Sequence, residues 1–345
     1  VLQPEEAREK FHLGKDVRDW KVHLAQEDIS SEPDQKNVVP ILYRPFDIRF
    51  TYYTGHSRGF LCMPRPEVMY NMLEGSNLGL SIGRAGMAID QNEWNIIHCT
   101  RQITEFNLYR RGGNNLFPIY LYPRMSGNQN QLITESWSPG PNGRIPNLNL
   151  DFVSAFASRL GLNFVSDGHG DLSSTFGPED IFNYIYAVFH SPTYRQRYAE
   201  FLKIDFPRVP MTSSPELFRK LCILGEELVA LHLLESPYLS QLITRYPVAG
   251  DNIVEKGFPK FVAYEEGAPG YVYINRGQYF EGVPKEVWEF HVGGYRVCEK
   301  WLKDRRGRQL SFDDLMHYQK VVVALKETIR LMAEIDKAIP EWPIE

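Results

Sequence analysis

The stretch Val287–Arg308, VWEFHVGGYRVCEKWLKDRRGR, decides how the rest of the chain is read, because a long helical pattern follows it directly. From Ser311 to about Ala338 the apolar residues Leu315, Tyr318, Val322, Leu325, Ile329 and Met332 recur at alternating spacings of three and four, which predicts one buried helical stripe. Ser311 is placed to cap that helix, with Asp314 completing a variant capping box. Ahead of it, Arg296, Lys300, Lys303, Arg305, Arg306 and Arg308 stand against only Glu299 and Asp304. The double glycine Gly293–Gly294 lets the backbone enter sharply, and Gly307 permits a turn inside the cation run. The segment reads as a rigidly held basic site suited to a polyanion. A solvated surface turn is the plainer alternative.

The basic site sits in an acidic chain of 345 residues with a net charge of −5. That balance argues against indiscriminate coating of nucleic acid and permits a focused basic groove on an acidic body. No run approaches the roughly 20 apolar residues of a membrane helix, and no leader is visible, so a cytoplasmic protein with no membrane partner is expected. Cys62, Cys99, Cys222 and Cys298 lack paired spacing and are expected to be reduced core thiols. The chain begins at Val1 with a charged helical stretch, as a segment of something longer or a processed or tagged terminus would.

Working outward, the pattern predicts an α+β protein. Residues 1–37 read as a helical connector broken at Gly14, with Phe11, Val17, Trp20 and Leu24 as its apolar contacts. Residues 38–150 hold short β-prone runs (38–43, 47–53, 78–82, 94–99, 106–109 and 117–122) with one helix at 66–73. They form a β-rich N-terminal lobe, sheet-like or barrel-like, closed by a linker over Ser126–Asn147. Residues 151–345 form a helical C-terminal lobe: helices at 152–160, 178–189, 192–202 and 215–234, the last with a stripe at Leu217, Leu221, Leu224, Leu228 and Leu231. A small returning antiparallel sheet within 252–292 leads into the basic turn and the long C-terminal helix.

The chemistry-bearing motifs are sparse. There is no phosphate loop, no strand-linked GxGxxG, no HExxH, no CxxC pair and no GxSxG elbow. SIGRAG, with Gly83 and Gly86, has the wrong spacing for a dinucleotide and reads as a turn. Asp167, His169 and Asp171 in DGHGD contain metal-ligating groups, but without a second nearby histidine a flexible polar turn explains them better. Glu286, Glu289 and His291 offer an acid–base set or alternating exposed positions. No catalytic or metal residue is assigned.

Base reading is more readily placed in the first lobe. Arg58 lies between Gly55 and Gly59, Arg84 follows Gly83, Arg101 and Gln102 follow a strand, and YRRGGNN supplies Arg110, Arg111, Asn114 and Asn115 around two glycines. Arginine pairs bidentately with guanine, and asparagine or glutamine with adenine, so such loops suit entry into a DNA groove. The same residues are also ordinary turn formers.

Three segments carry a family resemblance: YRPFDIR (43–49), FGPEDIFNYIYAVFHSPTYRQRYAEFLKIDFPRVP (176–210) and VWEFHVGGYRVCEKWLKDRRGRQLS (287–311). In that order they resemble the C-terminal target-recognition region of type ISP restriction-modification enzymes and related helicase–methyltransferase fusions. The resemblance covers about Tyr43 to Asp336. It implies a module that reads a short asymmetric double-stranded DNA sequence for a nuclease, an ATPase and an adenine methyltransferase preceding it in the same polypeptide. S-adenosylmethionine, ATP and magnesium would belong to those domains, and no cofactor is expected here. The methyltransferase signature, Asn or Asp followed by Pro-Pro-Tyr or Phe, is absent, so this chain alone should catalyse nothing. Lys300–Arg308 belongs to the shared pattern, which implies phosphate contact or anchoring rather than base reading. A docking module with a basic surface is the alternative, and a hydrolase built on Asp167, His169 and Asp171 a remote one.

Overall fold

The computed structural model describes residues 2–17, 19–84, 93–123, 137–140, 143–265 and 267–344. Gly86 of SIGRAG and most of the expected 126–147 linker lie outside them. Two short helices open the chain, α1 (Pro4–Phe11) and α2 (Val22–Ser31). Ala7, Val22 and Ala25 are buried, whereas Phe11 and Val17, expected to be contacts, are largely exposed.

The N-terminal lobe comprises β1 (Val38–Arg44), β2 (Asp47–Tyr52), α3 (Pro66–Leu73), β3 (Gly79–Ile82), β4 (Ile97–Thr100), β5 (Ile103–Thr104), β6 (Asn115–Pro118), β7 (Tyr120–Leu121) and β8 (Ile145–Pro146). They form two three-stranded sheets, β2-β1-β5 and β4-β3-β6, and a β7–β8 ribbon. The barrel-like option is therefore corrected: strands of two to seven residues leave two open sheets. The strand expected at 106–109 is a turned loop, because Phe106–Tyr109 leaves β5 to pack around Gly112 instead of pairing.

The helical part follows as α4 (Leu150–Leu160), β9 (Asn163–Phe164), β10 (Thr175–Phe176), α5 (Pro178–His190), α6 (Pro192–Arg197), α7 (Ala199–Ile204) and α8 (Pro215–His232). Side chains of Asn149, Ser191 and Ser214 cap α4, α6 and α8. The helix expected over 192–202 is divided at Tyr198 into α6 and α7. α5 is buried along nearly its whole length and packs on α8. They meet at Gly225, where a Cβ would lie 1.9 Å from the Asn183 carbonyl oxygen.

The chain ends with β11 (Lys260–Val262), β12 (Gly270–Tyr273), β13 (Tyr279–Val283), α9 (Lys285–Trp288), β14 (His291–Val292), β15 (Tyr295–Arg296), α10 (Val297–Lys303) and α11 (Phe312–Ala338). The α11 cap is as read: Ser311 Oγ accepts the Asp314 N–H, and Asp314 returns a carboxylate to the Ser311 N–H. Its buried face includes Tyr318, Val322 and Leu325, and extends to Leu331 and Ile335. One apolar cluster runs from Leu42 to Ile344, so β-rich and helical parts share a core. This is a mixed α+β fold with a long C-terminal helix.

Candidate nucleic-acid interface

The loop after β5 is the most constrained part of the surface. The Glu105 carboxylate accepts from the Asn107 N–H at 2.7 Å and from Arg44 Nη1 at 2.6 Å, holding the loop's start. Its far end is held by Asn114, whose Nδ2 donates to Thr104 Oγ1 (2.9 Å) and the Glu105 carbonyl (3.0 Å) while its Oδ1 accepts from Ser81 Oγ (2.7 Å). Tyr109 is buried and donates its hydroxyl to the Ser81 carbonyl at 2.8 Å. Between these anchors Arg110 (φ 77°), Arg111 (51°), Gly112 (87°) and Gly113 (83°) are consecutive left-handed residues. Glycine takes that conformation freely, but an arginine there costs on the order of 1–2 kcal/mol. The anchors impose it, and Arg111 is left exposed.

Two other segments close on this loop through glycines. A Cβ on Gly83 would lie 1.6 Å from the Gly113 carbonyl oxygen, so the backbone preceding Arg84 touches the loop directly. A Cβ on Gly293 (φ 59°) would lie 2.7 Å from the Tyr109 carbonyl oxygen, and the Gly294 N–H donates to that carbonyl at 3.1 Å. The Gly293–Gly294 turn of the β14–β15 hairpin therefore sits beside Arg110, and exposed Arg296 follows it on β15. Backbone segments nearly two hundred residues apart thus meet at the loop that carries Arg110 and Arg111.

The basic segment docks onto YRPFDIR. Arg305 is buried, with Nη2 and Nη1 at 2.9 and 3.2 Å from the two Asp47 oxygens, and its guanidinium lies 3.5 Å above the Trp301 ring. Burial raises the Asp47 pKa, but Arg305 and Arg49 outweigh it and hold the carboxyl below its ordinary range. Lys300 pairs with Asp304 at 2.5 Å and Lys303 with Glu299 at 2.8 Å, both one helical turn apart. Tyr43 lies between the Arg44 and Arg49 guanidiniums, each 3.9 Å from its ring centre. Much of the positive charge conspicuous in the sequence is therefore neutralised internally. Arg296, Arg306 and Arg308 remain exposed, and Arg306 Nε donates to the Phe258 carbonyl at 2.5 Å.

A second loop, 54–65, is organised by buried Asp28, which accepts from the Phe60 N–H (2.7 Å), Thr54 Oγ1 (2.8 Å) and the His56 ring (3.1 Å). Burial opposes its ionisation, yet these donors keep its pKa lowered. The loop presents Arg58 (φ 59°) and Arg65 (φ 50°). Of nine described non-glycine residues with positive φ, four are arginines, all in this lobe. Arg65 escaped the sequence reading; its only local signal is Pro66, which disfavours an ordinary helical conformation before it. Phe106, packed on Gly112 and 67% exposed, was missed as well.

The remaining candidates fall elsewhere. Arg101 pairs with both Glu235 oxygens (2.8 and 3.0 Å), and Gln102 accepts from Thr100 Oγ1 within its own turn. Arg84 is exposed 5.5 Å from the Phe206 ring centre. Asn115 is exposed on β6, and Asn114 is spent inside the loop. The DGHGD side chains diverge: Asp167 holds Arg144 at 2.7 Å, and Asp171 accepts the N–H groups of Ser173, Ser174 and Thr175. His169 lies between Asp180 (2.8 Å) and Glu179 (3.0 Å). Those two carboxylates push the His169 pKa up to about 10, making it a charged clamp rather than a base. The His291 ring bonds the Glu289 backbone, and burial lowers its pKa. Among the described residues no cluster of His, Cys, Asp or Glu is arranged to hold a metal, and no helix is long and apolar enough to cross a membrane.

A mixed α+β module with arginine-bearing loops on a shared core is the class of protein this geometry defines. The family model for the Type ISP C-terminal specificity domain matches residues 2–334, and the chain belongs to that family. Three solved structures share its fold. A DrdV–DNA complex aligns at a TM-score of 0.64 and 19% identity, over 96% of this chain and 32% of its own. The ATP-dependent Type ISP restriction-modification enzyme LlaBIII bound to DNA aligns at 0.60 and 18%, over 100% and 20%. A nuclease-deletion mutant of the Type ISP enzyme LlaGI, in complex with a DNA substrate mimic, aligns at 0.59 and 18%, over 99% and 30%. This chain thus spans a third or less of each. A search of curated proteins returned no match.

Proposed function

We propose that this chain is the DNA target-recognition part of a restriction-modification enzyme: it reads a short duplex sequence and positions it for a methyltransferase, an ATPase and a nuclease carried elsewhere in the polypeptide. The observation that carries the reading is the pinned left-handed run at Arg110–Gly113. Exposed Arg111 and half-buried Arg110, held in a costly conformation by buried anchors, meet what presentation to a ligand requires. Arg110 and Arg111 are the leading base readers, with Arg58, Arg84 and Asn115 beside them, each suited to a base edge in the major groove. Arg296, Arg306 and Arg308 contact phosphates and fix the register, whereas Lys303 is held by Glu299. Arg305 and Lys300 serve the frame, Arg101 is committed to Glu235, and Asn114 shapes the loop. S-adenosylmethionine, ATP and magnesium are used outside this chain, in the cytoplasm.

Selection from a randomised duplex pool tests the reading. Recovery of one asymmetric sequence, altered or relaxed by Arg110→Ala or Arg111→Ala, is the expected result. Salt-independent binding, or none, would overturn it.

A second, compatible reading concerns Phe201 (72% exposed) and Ile204 (77% exposed). Phe201 and Phe206 line an aromatic and proline-rich cavity of about 310 Å³. An exposed apolar patch of this kind suits packing against another domain of the enzyme. A pull-down with the methyltransferase portion in the absence of DNA, weakened by Phe201→Ser, is its test.

A further inference from the structure

The sheet β11–β12–β13 carries three tyrosines on the face turned away from the core, and a fourth beside it. Register puts Phe261, Val272 and Phe280 on one face, and Val272 and Phe280 are fully buried. The other face presents Lys260, Tyr271, Tyr273, Tyr279 and Glu281, and Tyr264 continues it beyond β11. The rings adjoin: Tyr273 and Tyr279 lie 5.0 Å apart, Tyr271 and Tyr279 5.1 Å, and Tyr264 and Tyr271 6.1 Å between centroids. Tyr264 is 67% exposed and the other three partly so, and none of the four hydroxyls has a hydrogen-bond partner among the described residues. Cross-strand tyrosine pairs contribute only about 0.2–1 kcal/mol each, and four on an outer face that is ordinarily polar also leave a continuous, partly exposed aromatic surface.

We infer that this face is a stacking platform for the unpaired bases of single-stranded DNA. That occupant is chosen on the exposed cations at one end of the face, although Asp251 and Glu255 also border the β12–β13 turn. Lys260 lies directly across from Tyr273, and Arg276 stands in the β12–β13 turn next to it. Both are exposed, and neither has a carboxylate partner among the described residues. Two residues before Lys260, the Phe258 carbonyl receives Arg306 Nε, which joins this end of the platform to the exposed cations of the basic segment. Glu281 marks the opposite end, beside Tyr271. A strand would therefore place phosphates along Lys260, Arg276 and Arg306 and lay bases on Tyr273 and Tyr279. Stacking tolerates any base, because each has a π-face, and a lost aromatic partner costs about fivefold to a hundredfold in affinity per base.

The inference rests on the reading that this protein works on DNA, but concerns unpaired rather than duplex DNA, so the two fail separately. A single-stranded oligonucleotide carrying 5-iododeoxyuridine is photocrosslinked to the full-length protein and the adducts are mapped by mass spectrometry. Anisotropy titrations then compare Tyr273→Leu/Tyr279→Leu with Tyr273→Phe/Tyr279→Phe on single-stranded and duplex DNA. Adducts at Tyr271, Tyr273 or Tyr279, with about a 25-fold or greater loss of single-strand affinity in the leucine pair alone and duplex affinity retained, support the platform. Adducts only elsewhere, unchanged single-strand binding, or equal loss on both DNAs overturn it. A leucine pair that instead releases a neighbouring domain without affecting either DNA marks a protein-docking face and also overturns it. Because crosslinking uses unaltered protein, the result stands even if the leucine pair misfolds.

Discussion

At the scale of single residues, the chain separates arginines that hold the fold from arginines that face outward, and the two classes should respond oppositely to substitution. Arg305 and Asp47 are both buried, so Arg305→Ala leaves the Asp47 carboxylate with Arg49 alone and should cost about 3 kcal/mol of stability. Urea denaturation is the check, and the Arg305→Ala/Asp47→Ala pair should lose less than the two single losses added. Arg111 is the converse. Glycine at that position removes a left-handed penalty of about 1 kcal/mol at a comparable entropic cost. Arg111→Gly should therefore leave Tm nearly unchanged while about 1–3 kcal/mol of discrimination disappears at one base pair in a randomised-site selection. A large fall in Tm would mean that the side chain is structural. The Arg110–Arg111 pair was legible because two glycines follow it. The roles of Arg305, Arg101 and Asn114 were not, since a cation or amide looks the same in sequence whether its partner is solvent, Asp47, Glu235 or Ser81.

At the scale of elements, helices were the legible part. Pro178, Pro192 and Pro215 open α5, α6 and α8 as read, and the Ser311–Asp314 box caps α11, because these signals act within one helical turn. The two- to four-residue strands of the N-terminal lobe were harder: a β-prone run such as Phe106–Tyr109 cannot announce that its backbone will pair with nothing. Helix packing yields a test in which two effects compete. Gly225→Ala gains about 1 kcal/mol of helix propensity, but its methyl would stand 1.9 Å from the Asn183 carbonyl oxygen between two buried helices. Overpacking of that kind costs typically about 1–3 kcal/mol, so the variant should be net destabilised in a thermal melt. A stabilised Gly225→Ala would show that α5 and α8 have room to separate.

At the scale of the whole molecule, an acidic chain concentrates its free cations, and salt dependence reports that directly. Arg306→Ala and Arg308→Ala should each lower the slope of log affinity against log salt by about 1, equally on every duplex sequence. A change in preferred sequence would reassign them to base reading. Stability against pH has two limbs. Carboxylates raise the His169 pKa to about 10, so its contribution is complete below about 6.5 and is lost as pH rises toward 10. Burial depresses His98 to about 3, and neither ring nitrogen has a protein partner, so its contribution is present above about 6.5 and is lost as pH falls toward 3. Melting across pH should show His169→Gln flattening the alkaline limb and His98→Phe the acid limb. His98→Phe keeps the ring contacts with Phe46 and His232, so it should not lower Tm at neutral pH.

The chain's own order of residues determined the α+β class, the capped helices, the long C-terminal helix and the family, because periodicity, caps and motif segments are local and survive without coordinates. Tertiary structure alone decided which cations remain available. Arg305 meets Asp47 across 258 residues, and Gly293 meets Tyr109 from far along the chain. Such pairings depend on how distant segments pack on one core, and no local pattern encodes them. The conspicuous basic segment is consequently more frame than reading head. The conformation that sets Arg110 and Arg111 apart is imposed on them by Glu105, Asn114 and Ser81.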